Sequence, residues 1–76
     1  MSTEGTPSAS EWLSAFAEAL GVEAPGPDAT DELLSLAAVA AHASERMAAP
    51  VACWLAALAG RSPAEALDIA RELETD

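Results

Sequence analysis

His42 and Arg46 are the side chains best suited to hold an anion, and they stand four positions apart in a stretch whose apolar periodicity predicts a helix. Both would then share one helical face, with Ser35 two turns back along it. A guanidinium in that setting could grip a phosphate or carboxylate through two parallel hydrogen bonds, with the imidazole beside it. The same residues have a plainer use, because cationic groups near a helix C-terminus complement the negative end of its dipole. Asp31 and Glu45 nearby weaken an anion site, and Glu45 could instead pair with an arginine of a partner. Ala49 and Pro50 follow directly, so His42, Glu45, Arg46, Ala49 and Pro50 form one candidate corner for binding a ligand or a partner.

Catalytic chemistry is poorly provided for. Ser-His-Asp catalysis needs a base in reach of a nucleophile, and a single histidine on a convex helix face implies no enclosed site. Cys53 sits among Ala52, Ala56 and Ala57, the setting of a small buried hydrophobe rather than of an activated thiolate. No Glu-x-x-His or paired-histidine spacing supports a metal, so no metal and no resident cofactor are expected. The size and acidity are similar to those of acyl carrier proteins, but these need Asp-Ser-Leu at a helix start, and residues 31–36 (DELLSL) lack it. Trp12 and Trp54 are the remaining candidates. Each belongs to the apolar stripe of its helix, which predicts a core position, although tryptophan also favours interfaces. Trp12, Cys53 and Trp54 are therefore the candidate interface residues.

Four predicted helices must position these groups. Residues 1–8 have the small polar composition of a flexible end, and residues 9–76 read as a single helical domain. The pattern Ser8-Ala9-Ser10-Glu11 is a capping box, and Trp12, Leu13, Phe16 and Leu20 then repeat at helical spacing until Gly21, predicting a helix over 9–20. Pro25-Gly26-Pro27 predicts an extended turn, with Asp28 or Thr30 capping a second helix over about 31–47. Pro50 belongs in the first turn of a third helix that Gly60 closes. From residue 47 to residue 60 no side chain carries a charge, an amide or a hydroxyl. A helix apolar all round is normally buried on all sides, so this one is expected at the centre of the bundle, or with its Cys53 side covered by another copy. Ser62-Pro63-Ala64-Glu65 is the clearest helix start of all, combining a serine cap, a proline at the first position and a glutamate three residues after the cap. The expected fold is an all-α, compact four-helix bundle with short loops, which a homodimer would help to stabilise.

At 76 residues the chain is near the size where buried apolar surface only just offsets the entropy of ordering. Thirteen acidic residues against three arginines and no lysine give a net charge of -10, which disfavours nucleic acid and anionic membranes as partners. Every basic residue lies at Arg46 or later. One cysteine fits a reducing compartment, the N-terminus has neither the basic start nor the apolar core of a signal peptide, and the apolar run is too short to span a bilayer. The expected location is the cytoplasm.

The residues Glu11-Trp12-Leu13, Leu20-Gly21, Leu33-Leu34, Ala41-His42, Arg46, Ala49-Pro50 and Gly60-Arg61 resemble a family of short actinobacterial helical domains associated with molybdopterin-guanine dinucleotide biosynthesis. The similarity runs from about residue 10 to residue 73. Its most specific part is the alanine-histidine pair, the arginine four residues on, and the alanine-proline pair. Ala43 departs from a glycine common after the histidine, and Val51-Ala52 from a leucine-threonine pair after the proline. The resemblance implies a setting, molybdenum-cofactor handling, and no reaction; no nucleotide-binding loop is present for guanylyl transfer. The expectation is a non-enzymatic adaptor whose 42–50 corner binds a partner protein of cofactor maturation or a phosphate-bearing pterin, with molybdopterin-guanine dinucleotide as the possible ligand. A homodimerisation module without a ligand and a small enzyme acting on a pterin nucleotide are the alternatives.

Overall fold

The computed structural model describes residues 7–74. Residues 1–6 of the segment expected to be flexible lie outside that range, as do residues 75 and 76. The described residues form four helices and no strand: α1 (Ala9–Leu20), α2 (Pro27–Ala43), α3 (Ala48–Leu58) and α4 (Pro63–Glu74). They make the all-α four-helix bundle that the helical periodicity predicts.

Both capping boxes are built as read. Ser8 N–H donates to Glu11 Oε1 at 2.9 Å and Glu11 N–H donates to Ser8 Oγ at 3.1 Å. The same reciprocal pair joins Ser62 and Glu65 at 3.0 and 3.1 Å. Two of the orphan donors at each helix start are thereby satisfied. At the other end of α1, Gly21 takes φ 81, and the N–H groups of Gly21 and Val22 return to the carbonyls of Glu18 and Ala17. Gly60 closes α3 in the same way at φ 74, with Gly60 N–H on Ala57 O and Arg61 N–H on Ala56 O. This double return is the Schellman motif, and it requires the left-handed backbone that glycine adopts at no steric cost.

The Glu65 carboxyl is held below its ordinary pKa chiefly by the Ser62 backbone N–H, which outweighs the opposing effect of desolvation, with lesser help from the Ser62 hydroxyl and the positive charge of Arg61. A carboxylate with a lowered folded pKa stabilises the fold above the ordinary carboxylate range and stops doing so as pH falls through the lowered value. Glu65→Gln is therefore expected to flatten acid unfolding in that window, and Ser62→Ala to cost about 1 kcal/mol near neutral pH. Circular dichroism during urea titration at several pH values checks both. An unchanged acid limb in Glu65→Gln would show that the carboxylate contributes nothing there.

Helix α2 begins four residues earlier than the capping pattern suggests. Gly26 is its N-cap in extended backbone, Pro27 is its first residue, and Thr30 N–H donates to Gly26 O at 2.9 Å. A proline at the first position loses no hydrogen bond and enters with its φ already helical, so Pro27 opens the helix rather than prolonging the turn. The helix also ends early, at Ala43, where Ser44 turns to φ -140 and ψ -102. Pro50 supplies the physical reason. A helix running unbroken from 27 through 58 would drive the Pro50 ring into the carbonyl of residue 46 and cost it the bond normally made by residue 50. The chain instead breaks at 44–47 and restarts, with Pro50 in the first turn of α3.

Helix α2 is the hub: α3 and α4 both pack along it, whereas α1 has no comparably close approach to any other helix. The buried centre is small, formed by Leu36 on α2 with Ala66 and Leu67 on α4, and flanked by Val39, Cys53, Ala56 and Ala70. Contrary to the expectation that the uncharged third helix lies at the heart of the bundle, α3 has no buried residue. It meets the bundle through Ala48, Ala49, Ala52, Cys53 and Ala56, which are half-buried, and turns Val51, Trp54 and Leu58 outward. Small side chains let α3 lie close to α2, and packing on that one side leaves the bulky residues in water. No helix among the described residues is long and apolar enough to cross a membrane.

Candidate functional site

The corner from 42 to 50 exists, with a different geometry from the one expected. His42 lies in the last turn of α2, Glu45 and Arg46 in the 44–47 turn, and Ala49 and Pro50 in the first turn of α3. His42 and Arg46 therefore do not stand on one helical face, because the helix that would align them ends between them. His42, Glu45, Arg46 and Pro50 are exposed and Ala49 is half-buried. The turn is tied by Ala48 N–H on Glu45 O at 2.9 Å and Ala49 N–H on Arg46 O at 3.1 Å, which fixes the backbone that carries these side chains.

Larger concave features lie elsewhere. Helix α1 folds back beside the start of α2, and between them runs an apolar groove of about 300 Å³, lined by Leu13, Phe16, Leu20, Val22, Leu33 and Leu34 among others. Glu23 is the one charged residue of that lining. A more polar hollow of about 460 Å³ adjoins it between Ser10, Ser14, Thr30 and Asp31. On the other side of the hub, α3 and α4 splay apart over Leu36 and leave a groove of about 320 Å³ walled by Leu55, Ile69 and Leu73, with Arg61 at its edge. His42, Glu45, Arg46, Ala49 and Pro50 line none of these three.

Neither tryptophan is in the core, which corrects the reading of both as packing residues. Trp12 is 54 % and Trp54 65 % exposed. Trp12 stacks on Phe16, ring centroids 4.9 Å apart and planes inclined by 28°. A stacked aromatic pair of this kind stabilises by about 0.5–1.5 kcal/mol beyond area burial, and of the two only Phe16 lines the α1/α2 groove. Cys53 does pack as a small hydrophobe, half-buried against the Leu36 cluster, so the Cys53 side of α3 is covered by its own chain.

The periodicity of α1 placed Leu13, Phe16 and Leu20 on one face; what it could not show is that this face stays open. The one signal was the breadth of that apolar stripe, which runs from Trp12 to Leu20 in a helix joined to the rest only through residues 21–26. Only Ala17 of α1 is buried. The described residues hold no group of three or more His, Cys, Asp or Glu placed to bind a metal ion.

No curated protein and no solved structure matches the chain. A family model does, from residue 4 to residue 75, nearly the whole chain. The chain therefore belongs to the family described as a domain of unknown function (DUF6457).

Proposed function

We propose that this protein is a non-enzymatic adaptor that receives an amphipathic helix of a partner protein in the groove between α1 and the start of α2. The observation that carries the reading is the exposure of Phe16, Leu20, Val22 and Leu34 along one groove, with the exposed Trp12 stacked on Phe16. A contiguous apolar patch of this kind on a small domain marks an interaction site, and a helix laid in a groove through anchors spaced at i, i+3, i+4 and i+7 matches its shape. Glu18, Glu23, Asp31 and Glu32 belong to the segments that form it, and no basic residue precedes Arg46, so the favoured partner helix carries Lys or Arg beside its apolar stripe.

The setting we propose is molybdenum-cofactor handling, supported by the resemblance at Ala41, His42, Arg46, Ala49 and Pro50. In that setting the partner is a protein of molybdopterin-guanine dinucleotide maturation, and the 42–50 corner supplies a secondary polar contact to it or to a phosphate-bearing pterin.

Calorimetric titration against purified guanylyltransferase and formate dehydrogenase maturation proteins tests this, with Phe16→Glu and His42→Ala/Arg46→Ala as the variants. Phe16→Glu is expected to weaken binding at least roughly tenfold, as loss of a buried aromatic anchor does. The double variant is expected to weaken it less. Binding that is lost only in the double variant would move the site to the corner. Binding to none of these proteins would remove the proposed setting.

A further inference from the structure

We propose that the hollow between Ser10, Ser14, Thr30 and Asp31 is the cation subsite of the groove beside α1, and that it takes one Lys or Arg side chain of the partner helix. This rests on the reading of that groove as a helix-docking site, and it adds the register in which the partner lies.

Shape supplies the first reason. The hollow of about 460 Å³ and the apolar groove of about 300 Å³ share Leu13, Pro25 and Thr30 in their walls, so they form one continuous depression. One part is walled by Phe16, Leu20, Val22 and Leu33, the other by three hydroxyls and the Asp31 carboxylate. An occupant of both is oily along most of its length and polar at one end. A helix meets that demand when a residue one turn beyond its apolar anchors is polar.

Charge supplies the second, and it fixes the sign. The N-terminal turns of α1 and α2 both border the hollow, and the positive ends of their dipoles would by themselves favour an anion. Glu11 and Asp28 already stand in those first turns. Each dipole end amounts to about half an elementary charge, so these two carboxylates more than offset the pair and Asp31 is left as net negative charge. None of the three arginines lines either cavity: Arg61 is on the other side of the hub, and Arg46 follows the far end of α2, roughly 20 Å along the helix from Asp31. The walls thus lack a cation of their own, and a partner has to bring it.

Hydrogen bonding supplies the third. A carboxylate only accepts, and each hydroxyl can accept as well as donate, whereas Lys and Arg side chains only donate. Ser10, Ser14, Thr30 and Asp31 together offer the acceptors that an ammonium or guanidinium needs when it leaves bulk water. An incoming carboxylate would meet the Asp31 charge instead.

Fluorescence titration of the full chain carrying Trp54→Phe tests the proposal, because Trp12, stacked on Phe16, is then the sole tryptophan. The probes are alanine-based helical peptides with leucines at i, i+3, i+4 and i+7 and a single lysine. Two carry the lysine one turn beyond either end of the leucines, and a third, of the same composition and charge, carries it on the opposite face. One of the first two is expected to bind about threefold to fivefold tighter than the third, the upper part of the range for a water-accessible ion pair. Asp31→Asn is expected to erase that preference, and Asp68→Asn, which removes the same charge from an exposed position on α4, to leave it intact. Phe16→Glu is expected to weaken all three peptides alike, since it acts through the groove. Equal binding of the three peptides, a preference that survives Asp31→Asn, or one lost equally in Asp68→Asn overturns the subsite while leaving the groove reading in place. Tighter binding when glutamate replaces the lysine overturns it in favour of an anion at the helix ends. Failure of every peptide to bind overturns the groove reading together with its subsite.

Discussion

Leu36→Ala is expected to abolish the cooperative unfolding transition of this protein at physiological temperature. Leu36, 3 % exposed, is the most buried of the described residues, and with Ala66 and Leu67 of α4 it forms the cluster against which Cys53 and Ala56 of α3 pack. Truncating a fully buried leucine costs about 2–5 kcal/mol, rising with the cavity left behind. A domain of 76 residues has a total stability of only about 4–11 kcal/mol at the usual value per residue, and so small a core places this one toward the low end. The neighbouring Leu34 is the internal control. It is exposed on the same helix, and Leu34→Ala is expected to change stability by no more than about 0.5 kcal/mol. Thermal and urea unfolding followed by circular dichroism read both variants. Equal losses at the two positions would show that α2 does not pack as described, and a sharp transition in Leu36→Ala would deny it the role of keystone.

What could be read in advance divides along a physical line. Local hydrogen-bond chemistry was legible: Ser8 with Glu11 and Ser62 with Glu65 announce helix starts by residue type and spacing, and Gly21 and Gly60 announce helix ends by their freedom at positive φ. The bounds Ala9–Leu20 were readable to the residue for that reason. Helix α2 was misplaced at both ends because each depends on a proline acting at a distance. Pro27 functions as a helix opener only once Gly26 is extended, and Pro50 breaks the chain at 44–47 although every residue there tolerates a helix.

Tertiary placement was the least legible. The uncharged stretch 47–60 reads as buried because apolar residues favour interiors, but an all-apolar helix has no polar side to say which face turns inward. Shape decided it. The alanines and Cys53 fit against α2, and Trp54 does not. The same ambiguity hid the site, since Trp12, Phe16 and Leu20 obey the periodicity of a core-facing stripe whether or not a helix of the same chain lies opposite. His42 and Arg46 show the converse, a pair joined by spacing and separated by the end of the helix between them.

The open packing of α1 has a consequence measurable without any partner. Amide protons of α1 are expected to exchange with solvent deuterium at least about 100-fold faster than those around Leu36 in α2, a gap of roughly 2.7 kcal/mol between local and global opening. Helix α1 is the better capped of the two, with a capping box at Ser8 and a left-handed Gly21, whereas α2 starts at Gly26 with no side-chain cap, so capping would favour the opposite order. Packing decides: α2 is gripped by α3 and α4, whereas α1 buries Ala17 alone and hangs from a loop that begins at the positive-φ Gly21. Detaching α1 exposes little new apolar surface, because most of its face is in water already, and the conformational entropy released favours the opening. Docking on α1 would then be coupled to the ordering of a loosely held helix. Protection of Leu13 to Leu20 equal to that of Leu33 to Val39 would show α1 to be an integral part of the core, and the groove beside it would then lack the adaptability that receiving a partner helix requires.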